Sequence, residues 1–183
     1  MLRLVFMTFL PAIILGQITT SATKTSIEPD IDGEVINDEA WEGISAIKTF
    51  TQKSPDEGTP STEQTIVKIM YSEETFYVSV VCYDSDPNKI VITDTRRDAP
   101  LNNTDSFMFV LDTYQDQQNG FVFGTNAGGI EYDAQVSGGG EGMSISSTRQ
   151  SVGIGANFNI NWDAAWEVKT KIGDFGWSAE FAI

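Results

Sequence analysis

The 183-residue sequence contains no histidine and a single cysteine, Cys82. Without histidine there is no Ser-His-Asp or Cys-His pair to activate a nucleophile, and no imidazole zinc site. One cysteine allows no intrachain disulfide. Cys82 shares a face of an extended segment with Phe76, Val78 and Val80, where a lone thiol serves as a small core residue. Basic residues are scarce too: 11 Lys+Arg stand against 26 Asp+Glu, a formal net charge of −15. Such a chain repels polyphosphate, which makes nucleic acid a poor partner and suits divalent cations or neutral ligands. Nucleophile-elbow, phosphate-loop and metalloprotease motifs are all missing. With so many acids, a pair at glycosidase spacing arises by chance, so carboxylates alone do not argue for catalysis. The chain reads as a non-catalytic domain.

Long helical periodicity is also absent after the first residues, and what replaces it is alternation. Around a central stretch, Phe107, Phe109 and Leu111 alternate with Met108 and Val110, Phe121 and Phe123 restart the pattern, and Ile130, Tyr132, Ala134 and Val136 oppose Glu131, Asp133 and Gln135. These segments predict a three-strand meander whose first strand, apolar on both faces, is buried, with Asp105 and Asp112 at its ends. Further strands are expected over 65–71, 76–84, 90–92, 166–172 and 177–183, with Pro87 ending the second of them. Asn37 or Asp38 is placed to cap a helical turn that carries Ala40 and Trp41 inward. The fold class expected is all-β, an antiparallel, jelly-roll-like β-sandwich. Its last strand runs to Ile183 with nothing to end it, the pattern of a C-terminally truncated domain.

Residues 1–16 combine a basic start with the 12-residue apolar run Leu4–Leu15 and small Gly16. That run is shorter than the roughly 20 residues a membrane-spanning helix needs, and the pattern is that of a secretory signal peptide. Residues 17–27 form a Thr/Ser-rich leader, and 28–183 the folded domain. Export to the periplasm or cell surface is expected. Acidic segments supply oxygen ligands without histidine, so a calcium ion is expected at Glu28, Asp30 and Asp32 or at Asp84 and Asp86.

Four motifs in register carry a resemblance: Pro29–Gly33 with Ala40-Trp41, the 71–78 hairpin, Asp105–Asp112, and Gly176–Ile183. Together they resemble a family 9 carbohydrate-binding module over residues 28–183. Arg96-Arg97-Asp98 and Asn161–Trp166 are similar to a subgroup found ahead of outer-membrane β-barrels in exported proteins of Gram-negative bacteria. The resemblance implies a sandwich that binds polysaccharide or oligosaccharide and that sometimes accompanies a glycoside hydrolase or a transport system. The alternative it leaves is a structural or plug-like domain of a following β-barrel. The positions that the family uses for sugar have changed. Its first clamp tryptophan falls on Asn102, its hydroxyl-binding glutamate on Met108 and its arginine near Gly124; its second tryptophan falls beyond Ile183. A rebuilt site is therefore expected from Arg96, Arg97, Asp98 and Asn102 together with Trp162 and Trp166. Trp162 would be its platform, since Trp166 shares a face with Val168 and Ile172. Trp162→Ala and Arg97→Ala are expected to weaken glycan retention with little change in melting temperature.

Overall fold

The computed structural model describes residues 19–138 and 157–183; the expected signal peptide and the glycine-rich connector after Gly138 lie outside them. Among the described residues ten strands form two sheets. The first sheet contains β1 (Thr23–Lys24), β2 (Ala46–Ile47), β3 (Thr65–Tyr71), β4 (Phe76–Tyr83), β9 (Glu167–Gly173) and β10 (Gly176–Ala182). Its order is β1-β3-β4-β10-β9, with β2 also pairing on β3. The second sheet contains β5 (Ser106–Leu111), β6 (Gly120–Asn126), β7 (Tyr132–Val136) and β8 (Phe158–Asn159), in chain order. Among these strands the pairings are antiparallel except the short parallel contact of β1 with β3.

Alternation sets the core. Val67 on β3, Val78 and Val80 on β4, Val168 on β9, and Ala179 and Phe181 on β10 face the second sheet, where Phe107 and Phe109 meet them. The Phe109 and Phe181 rings meet edge-on with centroids 5.3 Å apart. Cys82 packs against this cluster, and burial pushes its thiol up to about 12, which makes it an inert filler as expected.

The opposite face of the first sheet carries a second cluster, built on Val35, Ala40, Trp41, Met70, Tyr77 and Val81. The segment following the leader covers it. Asp38 accepts a bond from the Ala40 amide at 2.8 Å, capping the 3₁₀ turn Glu39–Trp41 and turning Trp41 into the sheet. Glu180 of β10, fully buried on this face, holds the segment down. It accepts from the Trp41 indole at 2.7 Å and from the backbone amides of Gly33 and Asp32 at 2.8 and 3.1 Å. Ser178 donates to the Gly33 carbonyl at 2.6 Å, and Lys68 to that of Trp41 at 2.6 Å. Gly33 has φ +88°, and a Cβ there would lie 2.5 Å from the Thr170 carbonyl carbon, so only glycine lets the chain pass this close.

Two expectations are corrected. The buried strand of the meander is β6, with Val122, Phe123, Thr125 and Asn126 all enclosed, and not β5. Among the described residues β5 is the sheet edge: its Phe107/Phe109 face meets the core and Met108 packs on the cluster of Ala99, Leu101 and Ile130, but Val110 is 45% exposed. Residues 90–92 form no strand. Val91 lies beside Asp105, but its amide donates to the Asp105 side chain at 2.7 Å, so a ladder does not propagate.

Candidate functional site

On the inner face of the second sheet, Phe107 and Phe109 of β5 meet Phe181 of β10, and Phe123 of β6 meets Trp166, while Asp133 of β7 is covered by Arg97 and by the segment entering β9. Asp133 of β7 pairs in register with Phe123, so this acid faces inward, with its side chain 1% exposed. A buried carboxylate needs a counter-charge. Arg97 supplies it: Nη2 donates to Asp133 at 2.7 Å and also to Asp163, while Nη1 donates to Glu131. Asp98 lies 3.8 Å from Nε. Burial opposes the charge on Arg97, but Asp133, Asp163, Glu131 and Asp98 outweigh it and raise its pKa. The second oxygen of Asp133 accepts from the Ala164 amide at 2.8 Å, which fixes the chain between Asp163 and Trp166. Asp98, in a left-handed conformation (φ 57°), donates its amide to the Glu131 carbonyl at 3.0 Å, and burial raises the pKa of its carboxyl.

The structure thus joins Arg97 and Asp98 to the 162–166 segment. Trp162 is half-buried, with one ring face stacked on Phe121 at a centroid distance of 4.6 Å and its edge toward Phe123. Trp166 is core: it stacks parallel on Phe181 at 5.8 Å and meets Phe123 edge-on at 5.2 Å. Arg96 does not join the cluster. It points to solvent and grips Asp94 through Nε at 3.0 Å, holding that carboxyl well below the usual carboxylate range. Asn102, half-buried on the turn before β5, makes no side-chain hydrogen bond among the described residues.

Around the other side of β7, the positions that the resemblance assigns to sugar contact do converge, but on apolar packing. Met108 sits directly across from Gly124, and a Cβ on Gly124 would lie 2.7 Å from a Leu101 methyl and 3.3 Å from Met108. Leu101 occupies the space an arginine at 124 would need. With Ala99, Ile130 and Tyr132 it closes a small cluster where a polar site would lie.

The expected metal ligands are dispersed. Glu28 and Asp30 are exposed, Asp32 accepts from the Glu34 amide at 2.8 Å, Asp84 from the Asp86 amide at 2.7 Å, and Asp86 pairs with Lys89 at 2.8 Å. Among the described residues no group of three or more Cys, Asp or Glu is arranged to hold a metal ion. Asp105 and Asp112, at the ends of β5, serve backbone amides: Asp105 that of Val91, and Asp112 those of Asp116 and Gln117. The acid that sequence reasoning passed over is Glu180. Its only signal is a glutamate opposite the apolar face of a strand.

No protein-family model and no curated protein matches the sequence. Among solved structures, a family 9 carbohydrate-binding module from Caldicellulosiruptor kristjanssonii in complex with cellotriose superimposes with a TM-score of 0.54 at 17% identity, covering 88% of this chain and 65% of that one. A family 9 module from the same organism in complex with glucose gives a TM-score of 0.50 at 14% identity, covering 88% of this chain and 66% of the other. The sandwich described above is the fold of these modules.

Proposed function

We propose that this domain, which shares the fold of family 9 carbohydrate-binding modules, is a non-catalytic carbohydrate-binding module with Trp162 as its sugar platform. The observation that carries the reading is the Trp162–Phe121 stack. A half-exposed indole, backed by a second ring and held beside the Arg97–Asp163 pair, offers an apolar face for sugar C–H groups with fixed polar atoms next to it. That two modules of the same fold carry cellotriose and glucose supports the ligand class. Trp162→Ala is expected to abolish retention of the protein in affinity gels containing hydroxyethylcellulose, xylan or mixed-linkage β-glucan, with a melting temperature within a few degrees of the parent. Equal retention of parent and variant would overturn the platform; no retention of the parent on any of the three would overturn the reading.

A second reading, a structural domain packed on a following β-barrel, is favoured by one observation: Leu101 and Met108 fill the place of the family's polar contacts. It is the reading left standing if the parent is retained by no glycan. In either case we propose that the chain is exported, on the strength of its N-terminal charge and apolar run. N-terminal sequencing of protein recovered from a Gram-negative cell envelope is expected to begin between Gln17 and Lys24. An intact Met1 on cytoplasmic protein would exclude export.

A further inference from the structure

We propose that the loop joining β5 to β6, residues 112–119, is a second sugar-contacting surface, with Tyr114 as its ring and Gln115 and Gln117 as its hydroxyl-binding groups. The inference rests on the carbohydrate reading and extends it from one sugar platform to a longer ligand.

The loop is built to hold its shape. Asp112 accepts from the amides of Asp116 and Gln117 at 3.3 and 2.8 Å. Asp116 accepts from the amides of Gln118 and Asn119, both at 2.8 Å, and from the Asn119 side chain at 2.6 Å. Both carboxylates are therefore committed to the loop itself, and backbone and side-chain donors hold the Asp116 carboxyl below its ordinary value. Beside the exposed Asp116 carboxylate, the outward side chains are neutral. Tyr114, at 65% exposure, is the most exposed large apolar side chain among the described residues. Gln115, Gln117 and Gln118 are exposed and make no side-chain hydrogen bond to the described residues.

Gln115 and Gln117 both adopt φ 55°, the left-handed conformation that glycine takes without strain. Both side chains are exposed, and neither belongs to a core cluster among the described residues. A side chain that strains the backbone and adds nothing to the core has its use outside the fold. An amide offers a donor and an acceptor together, the pairing that a sugar hydroxyl presents in return. The tyrosine ring is rigid and amphipathic, with little rotamer entropy to lose. No lysine or arginine lies in the loop, so a neutral polyhydroxyl ligand fits it better than an anion.

Position links this surface to the first platform. Leu111, the last residue of β5, pairs with Phe121, on which Trp162 stacks. Tyr114 is three residues further on, within about 10 Å of Leu111 even at full stretch. A glycan lying across Trp162 along the end of the second sheet reaches the loop.

The test is calorimetry of the full chain with cellobiose and cellohexaose, alongside gels of the three polysaccharides. Tyr114→Ala is expected to weaken cellohexaose binding about five-fold, the loss of one ring contact, and to leave cellobiose binding unchanged. Trp162→Ala is expected to weaken both. Gln117→Gly is expected to keep or raise the melting temperature while weakening cellohexaose. If Tyr114→Ala and Gln117→Gly bind cellohexaose as the parent does while Trp162→Ala fails, the second surface is overturned and the Trp162 site stands. If the parent binds none of the sugars, both are overturned.

Discussion

Glu180→Gln is expected to lower the melting temperature by about 5–15 °C, corresponding to roughly 2–4 kcal/mol in a domain of this size. The carboxylate accepts three hydrogen bonds from two directions: the Trp41 indole on one oxygen, the Gly33 and Asp32 amides on the other. An amide has one acceptor oxygen, so either the indole or the two backbone donors would meet an NH₂ head-on, in a fully buried place without water. Trp41→Phe, which deletes the indole donor, is expected to cost less than Glu180→Gln, and the double variant less than the sum.

The pH dependence of this pair has a definite sign. Burial raises the Glu180 pKa above its ordinary 4.5, and the bonds from Trp41, Gly33 and Asp32 offset part of that. The folded state therefore holds this proton more tightly than the unfolded state. Its contribution is full below the ordinary value and declines as pH rises through the raised one. Glutamine does not titrate. The melting-temperature gap between parent and Glu180→Gln is expected to narrow from pH 4 to pH 8 in thermal scans; a gap that widens would mean the carboxylate is preferentially stabilised in its charged form.

Arg97→Met is expected to be as damaging, by about 3–5 kcal/mol at neutral pH, because it leaves a buried charge unpaired. Asp133 is enclosed, and Asp98, Glu131 and Asp163 crowd the same guanidinium. The deficit is expected to shrink as pH falls, since burial already raises the Asp98 carboxyl and the variant removes the Arg97 charge that opposes this, so its protonation relieves the repulsion. Asp163→Asn is the control: with its side chain 75% exposed, its loss is expected to stay under about 1 kcal/mol. This reverses the sequence expectation that an Arg97 substitution leaves the melting temperature nearly unchanged, and makes Arg97 a poor probe of ligand binding. Urea titration of the three proteins at pH 7 and pH 5 measures both effects.

The strands were legible in the sequence because two-sided packing imposes period two. Val67/Ile69 against Ile66/Met70, and Trp177/Ala179/Phe181 along β10, face as their alternation predicts. Trp41 was legible through its cap. The rank of strands within a sheet was not: β5 and β6 are both apolar on two faces, and what separates them is how many neighbours each has. The site was half legible. Arg97 does reach the 162–166 segment, through Asp163, but the partner that decides its role is Asp133, 36 residues away and written as an ordinary polar residue of an alternating strand. Glu180 was hidden for the same reason, since the segment that covers it lies about 140 residues upstream.

The place of β10 between β4 and β9 bears on how the chain is made as well as on how it stands. Residues 65–83 form a hairpin early in the sequence, yet the strand that fills β4's free edge, Gly176–Ala182, follows only about 100 residues later. Until that strand is available, β4 presents a row of unpaired amides and carbonyls along Tyr77–Cys82, flanked by valines, which is a template for pairing with another chain. The contacts that close the first sheet span most of the sequence, so loop closure over that distance precedes their reward and slows the final step. A domain assembled in this order stays open along β4 until Gly176–Ala182 arrives. A chaperone that guards one segment of this protein would gain most by guarding 76–83.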